Sequence, residues 1–189
     1  MVSLLLVTIG FVLAMILAFF VIIYNTLVAL RNNLGRASAD IDVLLEKRYD
    51  MIGRLADVVK GYATYEKSVL VQVTGLRTQW MSAKDGNMNQ KMEQSNQISQ
   101  ALKSIFADVE NYPDLKANAN FMQLQSEIYE IETQIADRRE FYNDSVYALN
   151  TKIQQIPYSL IAGSLGFYAG QFLQVPDDQK QPVDINVNT

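Results

Sequence analysis

The chain of 189 residues contains no cysteine and no histidine. Without thiols it forms neither disulfides nor thiolate metal sites. Without imidazole it lacks the commonest general base, the commonest metal ligand and the usual switch near neutral pH. Ser-His-Asp and Cys-His devices are excluded within the chain, and so is a di-iron bundle built on Glu-x-x-His pairs. Cations are also in short supply: 16 Lys and Arg against 20 Asp and Glu leave a net charge of −4. Phosphate backbones are bound by clustered Lys and Arg, and no Gly-rich phosphate loop is present, so nucleic acid is not an expected partner. No metal and no cofactor is expected either, which leaves carboxylates as the sole residual route to catalysis.

Charge is absent altogether from Met1 to Leu30, and Arg31 is the first charged side chain. From Val2 to Tyr24 only Ser3, Thr8 and Gly10 interrupt bulky apolar residues and alanine. That run exceeds the ~20 residues a helix needs to cross ~30 Å of hydrocarbon. A secretory signal carries a charged n-region, a shorter apolar core and a small-residue cleavage site; none is evident, and without cysteine there is no lipoprotein attachment. Residues 1–30 therefore read as a retained single-pass anchor in a cell membrane, with lipid as its partner. Only the α-amine precedes the span, whereas Arg31 and Arg36 follow it. Basic residues stay on the cytoplasmic side, so the expected orientation has the N-terminus outside and the helical body in the cytoplasm.

The body reads as helices. Ile41, Leu45, Arg48, Ile52, Leu55, Val59, Tyr62, Glu66, Val69, Val73, Leu76 and Trp80 recur at three- and four-residue spacing, the mark of an amphipathic helix pressed on neighbours. The register passes straight through "KGYATYEKSVL" (Lys60–Leu70), and a glycine inside a helix costs only ~1 kcal/mol relative to alanine, so one continuous helix is expected across Gly61. "SAKDGN" (Ser82–Asn87) supplies turn formers. Met88, Met92, Ser99, Leu102, Phe106 and Val109 form a more polar stripe, which ends at "NYPD" because Pro113 disfavours helix in the residue before it. Phe121, Leu124, Ile128, Ile131, Ile135, Arg138, Tyr142, Val146, Leu149, Ile153 and Ile156 form the cleanest stripe, stopped by Pro157. Tyr158–Leu173 is short and almost free of charge, and the tail after Val175 is polar, unpatterned and expected to be disordered. No hairpin signal appears.

The expected fold class is all-α: an N-terminal transmembrane helix continuing into an up-and-down bundle of three long helices plus one short C-terminal helix. The expected boundaries are 1–30 for the anchor, 31–175 for the bundle and 176–189 for the tail. Helix lengths carry a further expectation. At ~1.5 Å per residue a helix over 41–82 extends ~63 Å and one over 88–111 only ~36 Å. On that geometry the second helix leaves the membrane-proximal part of the first uncovered, the third climbs away from the membrane, and the short fourth folds back at the distal tip. Ile41, Leu45, Ile52 and Leu55 then lack an intrachain partner and become the expected self-association surface, since exposed apolar stripes of that size mark interfaces.

"YNTLVALRNNLGRASADIDVLLEKRYDMIGRLADVVKGYATYEKSVLVQVTGLR" (Tyr24–Arg77), "YPDLKANANFMQLQSEIYEIETQIADRREFYNDSVYALNTKIQQIP" (Tyr112–Pro157) and "IAGSLGF" (Ile161–Phe167) resemble the LemA family, in family order and over most of the chain. The resemblance implies a bacterial or archaeal protein with one N-terminal span and a helical bundle. A magnetosome membrane protein belongs to the same group, and the family carries no agreed biochemical activity. The chain departs from the family at Ser38, where tryptophan is usual, at Gly53 (proline), at Tyr65 (histidine) and at Leu149 (tyrosine). The loss of histidine at Tyr65 weakens any imidazole-based mechanism for the shared fold. The string KGYATYE is a family feature, which implies structural roles for Gly61 and Tyr62.

Arg48, Glu66 and Arg138 interrupt otherwise apolar stripes and are the candidate buried polar positions. They are read either as buried partners that fix register or bind a ligand carboxylate, or as residues whose stems pack while their heads reach the surface; the second reading is preferred. Glu127, Glu130 and Glu132 are read as a solvated face before a cation site, because carboxylates three apart on a helix are common. Tyr142 and Asn143 are candidates for a polar contact at a helix crossing, with core packing by Tyr142 preferred. IAGSLGF lacks the basic face of an interfacial helix and is expected to pack on the end of the bundle.

The function these features favour is a non-enzymatic, membrane-anchored helical scaffold that forms a homo-oligomer and organises or recruits other membrane proteins. A transport or pore component built from bundled anchors is the first alternative, although the span has no charged residue of the kind that lines intramembrane paths. A ligand-sensing helical bundle is the second, and would need a polar-lined pocket. A hydrolase or redox enzyme comes last, for want of histidine and cysteine.

Overall fold

The computed structural model describes residues 1–62, 67–83 and 86–174. Among these described residues five α-helices follow in order: α1 (Val2–Lys60), α2 (Lys67–Ala83), α3 (Met88–Val109), α4 (Pro113–Lys116) and α5 (Ala119–Gln154), with a 3-10 turn at Tyr158–Leu160. Among the described residues there is no strand. The described chain divides into two compact units, one formed by Met1–Ala39 with Glu140–Phe172 and the other by Asp40–Arg139 with Leu173 and Gln174.

In the second unit, local chemistry sets the helix ends. At the end of α1 the Gly61 and Tyr62 amides donate to Val58 O (3.2 Å) and Val59 O (2.9 Å), three-residue spacings that tighten and close the last turn. Asn87 caps α3 in a reciprocal pair, its side chain accepting from the Gln90 amide while the Gln90 side chain accepts from the Asn87 amide, which satisfies two otherwise unpaired donors. Pro113 opens the one-turn α4, where its missing N–H costs nothing. Asn118 Oδ1 accepts from the Phe121 amide at the start of α5 (3.0 Å), and its Nδ2 donates to the Tyr62 hydroxyl (2.9 Å).

The expected single helix through Gly61 is therefore corrected: α1 ends at Lys60 and α2 begins at Lys67. The physical reason is that α2 returns along α1. The Arg77 guanidinium on α2 lies 5.5 Å from the Tyr49 ring centre and beside Gly53, both on α1. Next, α3 runs the other way, with Gln79 paired to Gln97 and Gln72 to Asp108. It starts level with the base of α1 in this unit, where Lys91 meets Asp42 at 2.8 Å. Finally α5 descends, Glu127 facing Arg54 (3.6 Å), Glu132 facing Arg48 (2.7 Å) and Arg138 facing Asp40 (4.0 Å). The result is an up-down-up-down bundle of four helices.

That return removes the basis for the expected self-association surface. Ile41, Leu45, Ile52 and Leu55 are 0%, 1%, 1% and 0% exposed within the single chain. They form the core together with Val59, Val69, Val73, Leu76, Ile98, Leu102, Ile105, Phe121, Leu124, Ile128 and Ile131. They have intrachain partners on every side, so they give no grounds for contact between copies.

In the first unit, every residue from Met1 to Ile22 is exposed, and burial begins at Ile23. Ile23 and Leu27 close on Ala162 and Phe167, with Val28, Ile153, Tyr158 and Ile161 packed around them. Leu34 and Val146 both adjoin Gly170, where a Cβ would lie 3.2 Å and 3.5 Å from them; this is a close approach that only glycine permits without a shift. Asn150 fixes Gly170 from both sides, accepting from its amide (2.8 Å) and donating to its carbonyl (3.0 Å). Two sequence expectations are corrected here. The stretch after Pro157 is a single 3-10 turn with following turns, not a helix. It packs against α1 just past the exposed run, at Ile23 and Leu27, not at a distal tip, because α5 descends instead of climbing. The polar tail lies outside the described residues.

Residues 23–30, read as anchor from composition, thus include core positions. Leu27→Ala should lower stability by ~2–5 kcal/mol, the usual cost of emptying a closed aliphatic site, whereas Leu17→Ala in the exposed run should leave it unchanged. Thermal unfolding of the full chain in mild detergent distinguishes the two. Equal melting temperatures would show that Leu27 contributes nothing to the core.

Candidate functional site

The most concentrated polar chemistry in the second unit surrounds Arg48. Its place on the α1 stripe, between Leu45 and Ile52, puts the guanidinium inside the bundle, where it is 1% exposed. It donates to Ser95 Oγ at 2.8 Å, to Ser99 Oγ at 3.0 Å and to Glu132 Oε1 at 2.7 Å. Ser99 Oγ in turn donates to Glu132 Oε2 at 2.6 Å. One cation therefore joins α1 to two successive turns of α3 and to α5. Glu132 is about a quarter exposed, so its carboxylate keeps contact with solvent while the arginine does not.

Arg48 corrects the preferred sequence reading, because its head does not reach the surface. Arg138 agrees with that reading: its side chain is half exposed and reaches Asp40 at 4.0 Å. Glu66 lies outside the described residues. Glu132 belongs to the cluster, whereas the other two carboxylates considered with it do not. Glu127 accepts from Gln123 and faces Arg54, and Glu130 accepts from Gln134. Among the described residues no metal-binding group of carboxylates gathers. Tyr142 is buried, and burial pushes its phenol pKa up. Sequence reasoning missed Ser95. The signal was available, since Ser95 completes the α3 stripe between Met92 and Ser99, and two serines one turn apart on a buried face call for a donor.

Beside the cluster lies a cleft of about 340 Å³ between α3 and α5, bordered by Asn96, Lys103, Phe106, Tyr129, Thr133 and Arg139. Arg139 donates to Asn96 at 2.8 Å across it, and the Phe106 ring meets that of Tyr129 at 5.4 Å between centres, tilted by 50°. Ser99 and Glu132 edge this cleft, but their polar atoms already serve Arg48. The proton of Ser99 is directed at a carboxylate held by a permanently charged guanidinium, which neither donates nor accepts a proton in chemistry. The arrangement acts as a clamp on helix register.

The clamp has an asymmetric energetics that can be measured. Glu132→Leu strands a fully buried cation and should cost ~3–5 kcal/mol. Arg48→Met strands a carboxylate that water can reach, and should cost less. The double variant, with both charges replaced by apolar side chains, should recover most of the loss. Urea midpoints of the three variants test this; a costlier Arg48→Met, or strictly additive losses, would show that the pair is not coupled as the geometry implies.

The LemA family model matches residues 37–187. The chain is 24% identical over 175 residues to Magnetosome protein MamQ 2 of Paramagnetospirillum magneticum, covering 80% of this chain and 64% of that protein. It is 26% identical over 160 residues to Protein LemA of Metamycoplasma hominis, covering 85% and 73%, and 21% identical over 168 residues to Magnetosome protein MamQ of Magnetospirillum gryphiswaldense, covering 76% and 62%. The match thus spans just under two thirds of the length of the magnetosome relatives. A model that covers the bundle from α1 through α5, together with relatives named LemA, identifies the chain as a member of the LemA family.

Proposed function

We propose that the protein is a non-enzymatic, membrane-anchored scaffold that presents a helical bundle at the membrane, self-assembles and organises other membrane proteins. The observation that carries the reading is the use of the buried polar groups. Arg48, Ser95, Ser99 and Glu132 bind one another, so the polar interior secures helix register and leaves the outer helix faces for partners. Membrane attachment is supported by α1, whose N-terminal part is long and apolar enough to cross a bilayer, with a mean hydropathy of 3.0. The same unbroken helix supplies the first strut of the bundle. The orientation with the N-terminus outside is supported by Arg31 and Arg36, which follow the span closely. A cysteine introduced at Gly35, where an added side chain meets nothing, should react with an impermeant maleimide only after cell lysis. Labelling of intact cells would reverse the orientation.

Self-assembly rests on the span and not on the bundle core. Gly10, Ala14 and Ala18 recur every four residues on one face of α1, the small-residue spacing that lets helix backbones approach within lipid. The full chain in mild detergent should therefore show a defined mass above the monomer. A Gly10→Leu/Ala14→Leu variant should fall to the monomer without change in melting temperature. A native chain that is itself monomeric would remove self-assembly from the proposal and leave an anchored bundle that acts through other proteins. Truncation at Arg31 is a poorer probe, since it deletes the core residues Ile23 and Leu27.

A further inference from the structure

The uncharged segment that follows α5 poses a problem of exposure. No charged side chain occurs between Ile153 and Gln174. Part of the segment is core, with Ala162 at 3% and Phe167 at 4% exposure, but Ile156 (81%), Leu160 (75%), Tyr168 (74%), Phe172 (49%) and Leu165 (40%) face outward. An apolar surface of this kind, with no charge to keep it solvated, is seldom left to water.

Its position says what covers it. The segment is packed on Ile23 and Leu27, the first buried positions after the exposed apolar run of α1. If Val2–Val21 spans the hydrocarbon, Ile23 lies ~3 Å beyond its edge along the helix, within the headgroup region that adds ~5–7 Å on each side of a ~30 Å core, and Leu27 lies ~9 Å beyond the edge, at the outer margin of that region. Aromatic rings gather at the same level: Tyr24 meets Phe167 edge-on at 6.1 Å, and Tyr158 and Tyr168 lie in the segment. Such residues are enriched at membrane interfaces. Two cations sit over this layer, Arg31 at 4.9 Å from the Phe167 ring and Lys152 at 4.5 Å from that of Tyr158. The backbone also fits. An irregular chain is excluded from the hydrocarbon core because its amides would be unpaired, but it is tolerated at the headgroup level, and here local turns already pair the Leu160, Ile161, Ala162, Leu165, Gly166 and Phe167 amides.

We propose that residues 156–168 form a collar beside the emerging anchor that seats in the lipid headgroup layer, with Ile156, Leu160, Leu165 and Tyr168 reaching towards the acyl chains, while the chain turns away from the membrane to meet Leu34 at Gly170. The collar is a second membrane contact, distant in sequence from the span and independent of a basic amphipathic helix. It rests on the reading of α1 as a transmembrane anchor, and one experiment tests both separately. Because the chain has no cysteine, single cysteines carry a fluorophore at unique positions. Full-length Leu13→Cys, Leu160→Cys, Tyr168→Cys and Gly35→Cys are reconstituted into phosphatidylcholine vesicles, with nitroxide lipids labelled either near the headgroup or deep in the acyl chain. Leu13 should be quenched by the deep probe. Leu160 and Tyr168 should be quenched several-fold more by the shallow probe than Gly35, which lies ~21 Å beyond Val21 along the helix. Quenching at Leu13 with Leu160 and Tyr168 no more quenched than Gly35 would overturn the collar alone, and would mean that a protein surface covers it. No quenching at Leu13 would overturn the anchor and the collar with it.

Discussion

The guanidinium of Arg48 sets the strictest constraint in the second unit, because a buried charge is tolerated only where partners meet it at fixed distances. Apolar stripes alone allow helices to slide by a turn with modest change in buried area. Arg48 does not, since its donors are matched to Ser95 and Ser99 on α3 and to Glu132 on α5. A one-turn shift of α5 would remove the Glu132 carboxylate from the buried cation, and one of α3 would break its match to the Ser95 and Ser99 hydroxyls. The outer pairs Lys91–Asp42, Arg54–Glu127 and Arg138–Asp40 follow the same register, but they are partly exposed and individually weak. They decorate an alignment that the buried cluster determines.

Much of this architecture was legible in the sequence, although not the path of the chain. The long apolar N-terminal helix, the helical character of the described body, the break within Ser82–Asn87, the end of α3 ahead of Pro113 and the buried α5 stripe from Phe121 to Leu149 all appear where composition and spacing place them. The interruption at Gly61 does not. Val59, Val69 and Val73 are each fully buried, so the apolar rhythm continues across the interruption as though the helix did. Periodicity reports which positions are buried, and two helices whose faces both meet the core can keep one rhythm. Every length argument built on a single 41–82 helix then failed with it. The uncovered face of Ile41, Leu45, Ile52 and Leu55 arose only because α2 was placed beyond α1 instead of beside it.

The clamp was half legible for a related reason. Arg48 stands out on an apolar stripe, and the stem-buried, head-exposed reading suits most long cations. What separates the two readings is the chemistry opposite, and that depends on which helices become neighbours. Ser95 and Ser99 recur at one-turn spacing on the buried face of α3, while Glu132 lies one residue off the α5 stripe at Ile131. From the stripe alone Glu132 looks solvated, and it is in fact partly so. Its reach to Arg48 depends on the angle at which α5 crosses, which no one-dimensional pattern encodes.

The distribution of charge takes on a different meaning once the chain path is known. Two stretches lack charge, Met1–Leu30 and Ile153–Gln174, and they lie far apart in sequence. Had α5 climbed away from the membrane, the second would be an apolar cap in water, in need of a protein partner. Because α5 descends, Met1–Leu30 and Ile153–Phe172 belong to the same compact unit and meet at Ile23, Leu27, Ala162 and Phe167. One cause then accounts for both absences of charge. On the collar proposal, the residues that contact lipid and those packed at its edge share the same solvent constraint, and the first cations after each stretch, Arg31 on α1 and Lys152 on α5, stand where that constraint ends.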